Sequence, residues 1–184
     1  RNGQSPNNDL FAQRITADGS WQWGPDYNGF ALCDAENAQG GNIIRWMSDT
    51  RMSITWVDNR EGSPGIYYQI MSLGGTEILP HNGDKLVFGI DANSSYPEIY
   101  SVGDGNYYLS WTDGRLGVFG TYPFVQVLNT DLHTDFYEFQ SELNGVSMLP
   151  GYPDIGADVE VIEIQELEQT IGSDGSLISV WKDN

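Results

Sequence analysis

Apolar and polar residues alternate along this chain in short runs, and no stretch repeats apolar positions at helical spacing. Runs of about five residues punctuated by Gly, Asn and Asp read as strands of an all-β fold. Pro97 to Val102 predicts one strand, Gly103-Asp104-Gly105-Asn106 a hairpin turn, and Tyr107 to Trp111 its aromatic-rich partner. A glycine-containing loop from Asp113 to Gly120 leads to a third strand, Tyr122 to Leu128, and Asn129 to Thr134 turns into a fourth, Asp135 to Phe139. The same order precedes it: Asn42 to Ser48, a turn at Asp49-Thr50-Arg51, Ser53 to Asp58, Ile66 to Leu73, then Glu77 to Pro80. Leu10 to Thr16, a turn at Ala17-Asp18-Gly19 and Ser20 to Trp23 form a half-unit in front; Ser176 to Trp181 predicts a last strand.

Two phrases recur across these units. Trp56-Val57-Asp58-Asn59-Arg60 is matched by Trp111-Thr112-Asp113-Gly114-Arg115 and by Trp181-Lys182-Asp183-Asn184. An aromatic-x-Gln phrase places Gln13, Gln69 and Gln126 at intervals of 56 and 57 residues (69−13, 126−69). Four short strands repeated in tandem are the signature of β-propeller blades, and a β-sandwich leaves the repeated phrases unexplained. The expected organisation is a partial propeller: half-blade 1–39, blade 40–88, blade 89–140, and half-blade with an insertion, 141–184. Closed propellers have about four to eight blades. The chain is therefore expected to be a segment of a longer array, with Leu10–Thr16 and Ser176–Trp181 unpaired with each other; association of copies is the alternative.

The pattern Trp-x-Asp-x-Arg-x-Gly followed by Tyr-x-Gln resembles tandem repeats of large secreted bacterial proteins, notably type IX secretion cargo of Bacteroidota. The likeness spans nearly the whole chain outside Gly156 to Thr170. It implies an extracellular or cell-surface propeller, and it is specific for fold rather than for activity.

Composition narrows the partners. The net charge of −18, from 26 acidic and 8 basic residues, disfavours nucleic acid and anionic membrane surfaces. A protein or glycan partner, or blades from the parent chain or another chain, suits such a face better. The single cysteine, Cys33, excludes an intrachain disulfide and reads as a small buried hydrophobe. No stretch is long and apolar enough to insert in a membrane, and no signal peptide is visible within the sequence.

Trp56, Asp58, Arg60, Trp111, Asp113, Arg115, Trp181 and Asp183 are expected to be structural, because a catalytic residue is needed once and a fold device once per blade. The aspartates would accept bonds from the following loop and pair with the arginines. Gln13, Gln69 and Gln126 would satisfy polar groups of neighbouring blades. The cluster of Trp21, Trp23, Tyr27 and Phe30 suits outer-strand packing, or stacking on sugars if exposed. Asp158, Glu160, Glu163, Glu166 and Glu168 alternate loosely with apolar residues, predicting a protruding acidic hairpin strand or a short amphipathic helix that could serve as a contact surface.

No catalytic residues and no cofactor are expected. Asp131 with Asp135, and Asp91 with Asn93, are the nearest calcium candidates, short of a helix-loop-helix calcium site. His81 and His133 stand 52 residues apart without zinc-ligand context (133−81). No nucleophile elbow or phosphate-binding loop occurs. Thr16-Ala17-Asp18-Gly19-Ser20-Trp21 misses the Asp-box of sialidase-like propellers by one glycine position. The reading is a non-catalytic extracellular propeller segment for binding or scaffolding; a glycan-acting propeller hydrolase and a calcium-stabilised adhesin are the alternatives.

Overall fold

The computed structural model describes residues 8–24, 28–87, 95–103, 106–114, 120–128, 146–147, 162–163 and 166–182. Every regular element among them is a strand, so the fold is all-β. An N-terminal pair, β1 (Leu10–Ala12) and β2 (Phe30–Cys33), precedes a first sheet of β3 (Gln39–Ser48), β4 (Arg51–Asp58), β5 (Gly65–Ser72) and β6 (Asp84–Val87) in the order β3-β4-β5-β6. The second sheet runs β7 (Ser95–Gly103), β8 (Asn106–Asp113), β9 (Gly120–Leu128), β10 (Val146–Ser147), with β11 (Ile162–Glu163) parallel beside β9. A C-terminal pair, β12 (Glu166–Ile171) and β13 (Leu177–Lys182), completes the described chain. The other pairings are antiparallel. Among the described residues the sheets close into neither ring nor barrel, and β1 is not paired with β13.

Strands β3–β5 and β7–β9 lie where the alternation places them. The fourth strands do not. Glu77–Pro80 makes only an isolated bridge, Met71↔Glu77, and the fourth strand is β6. In the first unit Ser20–Trp23 likewise contributes the bridge Ile15↔Trp21, and β2 pairs with β1. The cause is the glutamine. Oε1 of Gln69 accepts the N–H of Ile70 at 2.9 Å and of Leu79 at 3.0 Å, while Nε2 donates to Glu77 and to the carbonyls of Leu79 and Pro80. The side chain thus binds backbone groups that a ladder would otherwise use.

Gln13 does the same one repeat earlier, accepting from Arg14 N at 3.0 Å and Trp23 N at 2.8 Å. Both amides thus bind backbone groups of their own unit. The counterpart Gln126 leaves Oε1 without a partner among the described residues, and the predicted fourth strand at Asp135–Phe139 falls outside them.

The turns repeat with the glutamines. Gly19 and Gly75 donate to Thr16 and Ser72 carbonyls at 2.9 and 3.0 Å, and both glycines have φ above +80°. Before β2 and β6, Gly29 and Gly83 also hold positive φ; a Cβ at Gly83 would lie 2.3 Å from the Tyr68 carbonyl, and at Gly29 2.6 Å from that of Ala12. Only glycine allows the return strand this close.

Strand alternation then builds two cores. Met52, Ile54, Trp56, Tyr67 and Met71 pack on Leu10, Trp23, Leu32 and Cys33 of the first unit. From the opposite face of the first sheet, Ile66, Tyr68 and Ile70 meet Ile99, Leu109, Trp111, Tyr122 and Phe124 of the second. Each tryptophan-bearing face therefore looks to the unit before it, and the reverse face to the unit after it. The second sheet keeps this order: Ser110 Oγ donates to Gln169 Oε1, and Tyr100 OH to the Gln169 carbonyl at 3.3 Å. Burial on both faces is why β4 and β5 read as nearly continuous buried strands.

Gln69→Ala is expected to destabilise the protein by roughly 2 kcal/mol, because buried N–H groups lose their acceptor. Urea unfolding measures it. A loss no larger than that of Gln22→Ala, on an exposed position, would contradict the role given to the amide.

Candidate functional site

The repeated phrase builds the most buried polar site described. Period-two alternation puts residues i and i+2 of a strand on one face, so Trp56 and Asp58 at the end of β4 point the same way. The Trp56 indole N–H donates to Asp58 Oδ2 at 2.9 Å. In β8 the Trp111 indole N–H donates to Asp113 Oδ2 at 3.1 Å. Each tryptophan also stacks on the aromatic directly opposite it in the next strand: Trp56 on Tyr67 at 6.3 Å and 25°, Trp111 on Phe124 at 5.7 Å and 18°. Both tryptophans and both aspartates are fully buried.

Asp58 is saturated with donors. Oδ1 accepts the backbone N–H of Arg60 at 2.8 Å and Nε2 of Gln39 at 3.4 Å. Oδ2 accepts Arg60 Nε at 3.0 Å and Nη2 at 2.5 Å, with the Cys33 thiol at 3.7 Å. Arg60 Nη2 also reaches the Asn82 carbonyl at 2.8 Å and Cys33 Sγ at 3.2 Å, and its guanidinium carbon lies 4.1 Å from the Tyr67 ring centroid. Desolvation alone would raise the Asp58 carboxyl. The Arg60 and Trp56 hydrogen bonds outweigh it and hold the carboxyl below its usual range. Glu98 shows the opposite balance: burial pushes its carboxyl up, and Arg45, half-exposed at 2.9 Å, offsets only part of that. Burial likewise pushes the Cys33 thiol up, against the nearby Arg60 charge, and packs it in the core.

Other predicted residues are spread rather than gathered. Trp181 lies on β13 opposite Leu167. Arg115, Asp183, Asp158 and Glu160 fall outside the described residues, as do Asp91, Asn93, Asp131, Asp135, His133 and Tyr27. Among the described residues of the acidic run, Glu163 sits on β11 beside β9, and Glu166 and Glu168 on β12 beside β13. Trp23 is buried, Phe30 half-buried and Trp21 exposed, which splits the aromatic cluster. Gln39 and Cys33 at the Asp58 carboxylate carry no sequence signal, since each arrives from a different part of the chain. His81 bridges units instead, with Nδ1 3.2 Å from Glu77 and Nε2 3.2 Å from Asp34.

Among the described residues no group of three or more His, Cys, Asp or Glu is placed to hold a metal, and no helix is long and apolar enough to cross a membrane. No family model, curated protein or solved structure matches this chain. Chemically, the Asp58 site is a buried ion pair that clamps the β4 strand end to its following loop. With its oxygens fully engaged and no solvent contact, it is poorly placed to exchange protons with a substrate.

Asp113→Ala is expected to cost roughly 1–3 kcal/mol in denaturant unfolding, the cost of stranding a buried donor. For Asp58 the depressed native pKa gives a stability contribution present above the unfolded carboxyl pKa of about 3.9 and lost as pH falls through the native value. Asp58→Asn should therefore destabilise most at neutral pH, and the gap to the parent protein should narrow toward about pH 3. A constant gap across that range would contradict the ion-pair account.

Proposed function

We propose that the chain is a run of β-propeller blades, two four-stranded blades flanked by complementary half-blades. It serves as a non-catalytic binding or scaffolding segment of a secreted or cell-surface bacterial protein. The observation that carries this reading is repetition of buried polar devices. The Trp-Asp bond occurs in both sheets, and the glutamine bridge occurs in both units where its partners are described. Polar groups buried in this way maintain a stack of sheets, and an array of stacked sheets displays its loops and edges to partners. The consistent orientation of each sheet, tryptophan face toward the preceding unit, is what successive blades around an axis require. A protein or glycan is the partner class that suits an acidic exterior.

Incubation with a broad glycan panel, followed by product analysis, is expected to give no turnover, and chelator is expected to leave the melting temperature unchanged. Turnover abolished by substituting one carboxylate would replace the scaffold reading with the hydrolase one. A melting temperature that falls with chelator and recovers with calcium would favour the adhesin.

A further inference from the structure

Glu98 is a carboxylate held between three sheets. Its side chain is 14% exposed. The register sets it opposite Ser110 and two residues before Tyr100, so the three share the face of the second sheet that looks toward β12. From that face Ser110 Oγ donates to Gln169 Oε1, and the Tyr100 hydroxyl reaches the Gln169 carbonyl at 3.3 Å. The first sheet reaches the same carboxylate from β3, where Arg45 Nη2 donates to Glu98 Oε2 at 2.9 Å.

The hydrogens on this path do not suffice for its acceptors. The Tyr100 hydroxyl carries one, and two acceptors lie within its reach: Glu98 Oε2 and the Gln169 carbonyl. A carboxylate accepts only, and more strongly than a carbonyl, so ionised Glu98 draws the hydroxyl hydrogen to itself and away from β12. Protonation reverses the chain. A neutral Glu98 carboxyl can donate to the Tyr100 oxygen, and the hydroxyl hydrogen then turns to the Gln169 carbonyl. The surroundings favour that state: burial raises the Glu98 carboxyl above its usual range, Glu168 on β12 adds to the rise, and Arg45, 41% exposed, offsets only part of it. Tyr108 on β8, opposite Tyr100, is the other titratable side chain on this face among the described residues, and β4 brings the uncharged Thr55.

We propose that Glu98 is a proton-operated latch: a proton on its carboxyl completes the chain Glu98–Tyr100–Gln169 and seats the pair β12–β13 on the second sheet, and loss of that proton slackens the contact. The latch operates whether or not the sheets are blades of a ring. A carboxyl whose native pKa is raised contributes stability that is full below its unfolded pKa, about 4.3 for glutamate, and lost as pH rises through the native value. Asp58 is shifted the other way, so the two act in separate windows, Glu98 above about pH 4 and Asp58 below it. Mild acid therefore tightens this one interface before stronger acid undoes the ion pair.

Amide hydrogen exchange, read as protection factors, measures the latch strand by strand. Glu98→Gln supplies a neutral group of the same shape that both donates and accepts. At neutral pH it should raise protection of the β12 and β13 amides several-fold over the parent protein, with the gap closing toward about pH 4. In a Tyr100→Phe background most of that gain should vanish, because the middle of the chain is gone; relief of a buried charge alone would persist there. In the unsubstituted protein, the amide signals of β12 should move with the titration of the Glu98 carboxyl carbon. No gain at neutral pH, a gap unchanged in acid, a gain undiminished by Tyr100→Phe, or a Glu98 titration that leaves β12 unmoved would each overturn the latch and leave the blade reading standing.

Discussion

A tryptophan and an aspartate two residues apart on one strand govern this fold. Alternation places them side by side, and burial then forces a consequence: a carboxylate out of water needs donors on both oxygens. The indole N–H supplies one of them in each sheet. At Asp58 the backbone N–H and guanidinium of Arg60 supply more, which ties the end of the strand to the loop that follows. The ring of the same tryptophan stacks on the next strand's aromatic. One short phrase thus fixes a strand end, a loop and a strand pair together. A buried ion pair of this kind adds little net stability over an apolar substitute, but breaking it by removing one partner is costly.

The sheets are then joined by polar contacts as well as by the two cores. The Leu73 carbonyl accepts from Arg14 at 2.8 Å and from the Trp23 indole at 3.1 Å, locking the turn after β5 onto the first unit. Thr55 donates to the Pro97 carbonyl at 2.5 Å, and Arg45 pairs with Glu98, across the two main sheets. Tyr68, on the face between those sheets, is 2% exposed, and burial pushes its phenol up to about 12.

Much of this was legible in the sequence. The central strands follow from alternation, and the period of the glutamines marks equivalent positions down to individual turn hydrogen bonds. The fourth strands were not legible, because Glu77–Pro80 looks like a strand but has its N–H at Leu79 taken by the Gln69 side chain. The pairing of Trp56 with Asp58 follows from their spacing once both are known to be buried. The approach of Cys33 does not, since it depends on how separate units pack, and that of Gln39 requires the register that sets it opposite Asp58. Alternation within Asp158–Glu168 likewise does not reveal that Glu163 and Glu166 belong to different strands.

A double-mutant cycle on Trp56→Phe and Asp58→Asn, run beside the same cycle on Trp111→Phe and Asp113→Asn, tests the central interaction most directly. Phenylalanine keeps a ring for the stack and deletes the indole N–H. Unfolding free energies should give a coupling of about 1 kcal/mol or more in both cycles, as for a buried hydrogen bond to a charged group. Coupling near zero in either pair would mean that the carboxylate and the indole are neighbours by packing alone, and that the repeated phrase fixes the fold by some other contact.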